Sequence, residues 1–237
     1  MGQCQSNPID LHEASAEGNL VDVQCLIKNG SDIYAKDNNG CTPLHRASQE
    51  GHYHVAEYLI KAGAHLEAVD KWRRTPLHLA SEFGHIHIVQ LLIKCGAQLD
   101  PLTIQNETPL YLACRYEHEQ VETVQFLIKK GARLDKKDKN HWTPLHLAAR
   151  NGHLQIVQLL IDKGAKINST TKGGKHTPLQ LAFQHKHYEV EQFLKESGAS
   201  KSASSHHVKG ENVEDPNNET SKGLIVGLNE IQRNTIF

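Results

Sequence analysis

Seventeen histidines among 237 residues are the side chains best suited to chemistry, because imidazole titrates near neutral pH and ligates metals. Two pairs are spaced by two residues, His85 with His87 and His185 with His187, a spacing that lets both rings meet one ion on an extended strand. Neither pair has a third or fourth ligand at a fitting distance, and His206-His207 near the C-terminus supplies none, so no metal site is expected. Cys4, Cys25, Cys41, Cys95 and Cys114 are odd in number and lack metal-ligand spacing, which makes reduced thiols the expected state. The chain contains no Gly-rich phosphate loop, serine nucleophile elbow, Cys-His signature or paired carboxylates. It is expected to be no enzyme and to need no cofactor.

Many of the histidines instead belong to a repeated frame. His45, His78 and His146 sit in the copies Thr42-Pro43-Leu44-His45, Thr75-Pro76-Leu77-His78 and Thr143-Pro144-Leu145-His146, and Thr108-Pro109-Leu110-Tyr111 and Thr177-Pro178-Leu179-Gln180 vary the fourth place. The five threonines step by 33, 33, 35 and 34 residues, a period that marks a stacked solenoid. Each copy reads as a helix start, with Thr in the capping place and Pro where its missing N–H costs nothing. Gly51-His52, Gly84-His85 and Gly152-His153 then mark the turn into a second helix. That helix carries apolar positions such as Ile86, Val89, Leu92 and Ile93 and stops at Gly96. With His12 aligned to the first set, seven histidines are expected to be structural, tying backbone groups across turns.

These marks, with Gly-Ala at Gly63-Ala64, Gly96-Ala97, Gly131-Ala132, Gly164-Ala165 and Gly198-Ala199, resemble ankyrin repeats over about residues 9–199. The resemblance implies an all-α solenoid of paired antiparallel helices joined by projecting β-hairpin loops. Six repeats are expected at about 9–39, 40–72, 73–105, 106–140, 141–174 and 175–199. The outer two serve as caps, since Glu13 in the first, and Glu191 and Lys195 in the last, take places that are apolar elsewhere. Asp37-Asn38-Asn39-Gly40 matches the family's hairpin tip, where Gly takes a positive φ cheaply. Arg73, Asn106 and His141 stand in the place of Gly40, and the tip at Arg73 is expected to be reshaped. The fifth link, with Gly173-Gly174 and one extra residue, is expected to be the most mobile. In the fourth repeat Arg115 to Gln120 replaces the Gly-His turn and is two residues longer; it reads as loop drift or as a partner-specific feature.

The family's partners bind mostly at hairpin tips and at the exposed ends of first helices. Carried over, the tips offer Trp72, Arg73 and Arg74, then Gln105 and Glu107, then Lys139, Asn140 and Trp142. The helix ends offer Glu82-Phe83, Arg115-Tyr116 and Arg150-Asn151. Trp, Tyr and Arg are the usual anchors of interfaces. Phe83, Tyr116 and Trp142 could equally pack on neighbouring repeats or a hairpin stem; Trp72, at a tip, is hardest to place in a core. The expected function is a non-catalytic adaptor that binds a protein partner on the concave face.

The flanks add a second reading. Gly2, Cys4 and Ser6 fit an N-myristoylation pattern with an adjacent palmitoylation site, and two acyl chains anchor stably where one does not. The alternative is therefore a lipid-anchored regulator that brings a partner to a membrane. Residues 1–8 are expected to be flexible and 200–237 a disordered tail, since Lys201 to Ser221 offer little to bury. Leu224, Leu228 and Ile231 could share a helical face, and Thr235-Ile236-Phe237 fits a PDZ-binding terminus. Lys and Arg number 26 against 27 Asp and Glu, so no nucleic-acid partner is expected. No apolar run reaches the ~18 residues of a membrane span and no secretory leader is seen, so a cytoplasmic location is expected.

Overall fold

The computed structural model describes residues 9–116 and 121–199. Gly2, Cys4, most of the expected insertion and the Thr235–Phe237 terminus lie outside the described residues. Twelve α-helices run in chain order: α1 (Leu11–Ala16), α2 (Leu20–Lys28), α3 (Pro43–Glu50), α4 (Tyr53–Lys61), α5 (Pro76–Glu82), α6 (Ile86–Lys94), α7 (Pro109–Ala113), α8 (Val121–Lys129), α9 (Pro144–Asn151), α10 (Leu154–Asp162), α11 (Pro178–Gln184) and α12 (Tyr188–Glu196). Among the described residues one 3-10 turn, Lys172–Gly174, interrupts the fifth link. No strand occurs among the described residues. Each link that the resemblance draws as a hairpin loop is closed across a tight turn by a backbone bond, Asp70 N–H to the Arg74 carbonyl for example.

Helices of five to nine residues are too short to hold themselves in water, so their order comes from stacking. Odd-numbered helices pack on odd-numbered ones and even on even, and each pairs with its partner in the repeat. One apolar core threads the array, with Leu44, Leu77, Leu110, Leu145 and Leu179 from the first helices and Leu59, Leu92, Leu127, Leu160 and Leu194 from the second. Each helix start is set locally. Thr42, Thr75, Thr108, Thr143 and Thr177 are extended, and a proline opens every helix that follows them. In α12 Glu191 and Lys195 stand at otherwise apolar positions and pair with each other.

The histidines connect repeats. Thr42 N–H donates to His45 Nδ1 at 3.1 Å, which leaves the proton on Nε2 to reach the Arg74 carbonyl of the next link at 3.0 Å. His78 reaches the Glu107 carbonyl and His146 that of His176 in the same way. The turn histidines point backwards: Nε2 of His52, His85 and His153 donates to the carbonyls of Ala16, Gln49 and Arg115. In the last repeat Gln180 Oε1 takes over the capping bond from Thr177 N–H. Cys41, Cys95 and Cys114 are free thiols. Cys25, half-exposed on α2, is disulfide-bonded, so the expectation of reduced thiols does not hold for it.

Two tests follow from these bonds. Burial lowers the pKa of His45, His78 and His146 from 6.5 to about 4. As pH falls from 6.5 to 4 the unfolded chain therefore takes up protons that the native rings refuse, and stability is lost in that window. Each ring accounts for about 3 kcal/mol at most. Urea unfolding followed by circular dichroism at a series of pH values should show this loss, and His78→Gln should flatten it by about a third. The second test concerns Gly51, which has φ +81°, and a Cβ there would lie 2.7 Å from the His85 ring. Gly51→Ala should cost about 2–3 kcal/mol, from the left-handed backbone and the displaced imidazole bond together.

Candidate functional site

The five links present their tips on one edge, and each tip is built around an acceptor five residues or so before the helix-capping threonine. Asp37 accepts the N–H groups of Asn39 and Cys41, Asp70 those of Trp72 and Arg74, and Asp138 those of Asn140 and Trp142. In the third link Thr103 Oγ1 does the same for Gln105 and Glu107, and in the fifth Thr171 Oγ1 accepts from His176 N–H. Arg73, Asn106 and His141 have φ of 60°, 64° and 63°, close to the 76° of Gly40. The expected reshaping at Arg73 is thus corrected: the Asp70 bonds hold the turn in the shared left-handed geometry despite the side chain.

Consecutive tips are joined to one another. Lys71 N–H donates to the Asn39 carbonyl, Ile104 to Trp72, Lys139 to Gln105 and Lys172 to Asn140, at 2.8 to 3.0 Å. This ladder aligns the tip side chains in a row.

Beneath the second and third tips lies a buried ionic group. Arg74 pairs with Asp70 at 2.8 Å and with Glu82 at 3.6 Å; Arg115 pairs with Glu82 at 2.5 Å and with Glu107 at 3.2 Å. Thr103 Oγ1 donates to the second Glu107 oxygen. Burial raises the Glu107 carboxyl above its usual range while Arg115 pulls it down; Arg115 itself is raised, burial being outweighed by Glu82 and Glu107.

The expected contact residues separate accordingly. Trp72, Arg73, Gln105 and Lys139 are exposed at tips, and Tyr116 is 47% exposed at the end of the fourth repeat's first helix. Phe83, Arg150 and Asn151 are half-buried, Asn151 donating to the Arg115 carbonyl and Arg150 lying over the Trp142 ring. Asn140 is half-buried in its turn. Glu82, Glu107 and Trp142 are corrected as free surface. Both glutamates are consumed by the ionic group, and Trp142 packs with Tyr111, Leu112, Leu147 and Leu181. Arg74 and Arg115 keep 12% and 13% of their side-chain surface and act as supports.

The sequence reading missed Ile104, 41% exposed beside Trp72, and the exposed Lys172 and Lys175 of the fifth link. It also missed the ionic group, whose signal was present: Arg74 and Glu82 stand eight apart in one repeat, and Glu107 and Arg115 occupy the same two places with reversed charge in the next. On the opposite side, a groove of about 640 Å³ between α4 and α6 is lined by residues including His54, His87 and Cys95. Among the described residues no three His, Cys, Asp or Glu converge on a metal position, and no helix is long and apolar enough to cross a membrane.

The family described as ankyrin repeats (3 copies) matches residues 11–103, 57–138, 95–171 and 119–205. No curated protein sequence matches the chain. Among solved structures, a chain in the complex of the Bd0816 predatory endopeptidase from Bdellovibrio bacteriovorus with immunity protein Bd3460 is similar, at 26% identity and a TM-score of 0.71. The similarity covers 81% of this chain and 99% of that one.

Removing Arg115 would leave Glu82 and Glu107 facing each other in a buried site. Arg115→Leu should therefore lower the unfolding free energy by about 3–5 kcal/mol, read from urea titration at neutral pH. Arg115→Lys keeps the charge but loses the fork that reaches both carboxylates, and should lose less.

Proposed function

Because the chain belongs to the ankyrin-repeat family, we propose that it is a non-catalytic adaptor whose protein partner docks on the face formed by link tips and first-helix ends. The observation that carries this reading is the placement of Trp72 and Tyr116. Both are large aromatic side chains left exposed, and both adjoin the buried Arg74, Glu82, Glu107 and Arg115 group. Arg74 sits 4.8 Å from the centre of the Trp72 ring, so that indole is fixed in place before any partner arrives. An anchor ordered in advance loses little entropy on binding, and Trp and Tyr are the residues on which interface energy concentrates. That the similar solved structure is a complex of two proteins supports a binding role.

Affinity capture with the intact chain beside a Trp72→Ala/Phe83→Ala/Tyr116→Ala variant tests this. A partner that uses the face should be retained by the native chain and weakened about tenfold or more by the variant, with the helical circular dichroism of both unchanged. If every captured protein persists on the folded variant, the face is not the docking site.

A further inference from the structure

We infer that the partner of this face is an acidic polypeptide segment, with carboxylates on both sides of an apolar residue, laid along the row of tips from the second link to the fifth. The inference rests on the adaptor reading and adds the chemistry of the partner.

The charge on the row is one-sided. Lys71 and Arg73 at the second tip, Lys139 at the fourth, and Lys172 and Lys175 at the fifth are all exposed. None pairs with a carboxylate among the described residues. The acids of the turns themselves face inward, although Glu67, earlier in the second link, is exposed. The Asp70 side chain is fully buried under its turn, Glu107 is held by Arg115 and Thr103, and Asp138 is 6% exposed and holds Tyr111 and two backbone N–H groups. A chain whose net charge is −1 thus collects cations on one edge by turning the nearby carboxylates into backbone anchors.

The pattern along the row narrows the ligand. Between the cations of the second and fourth tips, the third carries Ile104, Gln105 and Asn106 and no charge. Ile104 is exposed, and its N–H bonds the carbonyl of Trp72, so these two apolar side chains occupy adjacent tips. Cation, apolar and cation in that order complement a peptide reading acid, apolar, acid. Nucleic acid fits less well: its phosphates repeat evenly and its bases stack on aromatic or guanidinium planes. An aliphatic Ile104 offers no such plane, and one face of Trp72 is already occupied by Arg74. Single surface ion pairs are worth little, so recognition requires several tips together. The ladder of tip hydrogen bonds supplies that alignment.

The test uses the full chain and a fluorescein-labelled synthetic peptide with glutamate runs flanking a Leu-Phe pair. It is read against the same peptide with glutamine for glutamate, and against an oligouridylate of equal charge. The glutamate peptide should bind about tenfold tighter than its glutamine counterpart, by an amount that shrinks as salt is raised. Binding should also shift tryptophan emission, which reports Trp72 because Trp142 is only 5% exposed. The folded variant Lys71→Glu/Lys139→Glu/Lys172→Glu should lose the preference. Equal binding of the two peptides, a preference that survives charge reversal, or tighter binding of the oligouridylate would each overturn the inference. If one of these occurs while the Trp72, Phe83 and Tyr116 substitutions still release a captured partner, the adaptor reading stands and the acidic chemistry alone is withdrawn.

Discussion

A buried, neutral imidazole that reaches from one repeat to the next is the interaction on which this array depends. His45 and His78 each satisfy a helix-start N–H with one nitrogen and a carbonyl of the following link with the other. The same side chain therefore caps the start of one helix and fixes the angle of its neighbour. Helices of this length have no stability of their own, and stacking supplies it. Losing one bridge disturbs both a cap and an interface, so local and long-range order are coupled at one residue. The backward-pointing His52, His85 and His153 each add one bond, from Nε2 to a carbonyl of the preceding repeat.

This coupling also explains why the tips form an ordered edge. A turn that projects into water would ordinarily be free to move. Here each tip is closed by an inward acceptor, Asp70 or Asp138 for example, and bonded to a neighbouring tip. The side chains that remain outside, Trp72, Arg73, Ile104 and Lys139, are displayed from fixed backbone. Charge follows from the same economy. Carboxylates used to hold turns are withdrawn from the surface, and the lysines beside them are left to define it.

The buried ionic group shows how much chemistry one register can absorb. The place immediately before the capping threonine is filled by Cys41, Arg74, Glu107 and Trp142 in successive links, and each is largely buried. In the last case an indole completes an apolar cluster; in the middle two, opposite charges meet opposite charges eight residues further on. Pairing of this kind carries a desolvation cost and tolerates no missing member. It commits the third and fourth repeats to each other in a way that the apolar core alone does not.

A structural role for the histidines was legible in the sequence, but not that their Nε2 bonds reach carbonyls about one repeat away; the period, the Thr-Pro helix starts and the glycine turns were legible as well. They arise from interactions within a few residues, which spacing encodes directly. Trp72 could be placed outside for the same reason, being at a turn. The fates of Glu82, Glu107, Arg115 and Trp142 could not be read that way, although the reversed charges at matching places were visible. Whether such residues face a partner or one another depends on side chains roughly one repeat away, brought together only when the repeats stack. Arg73 gives the converse lesson: its own preference argued against a left-handed turn, and the hydrogen bonds of Asp70 decided the matter. Local periodicity thus determined the fold of this chain, while burial created by stacking decided which of its polar and aromatic residues remain as surface.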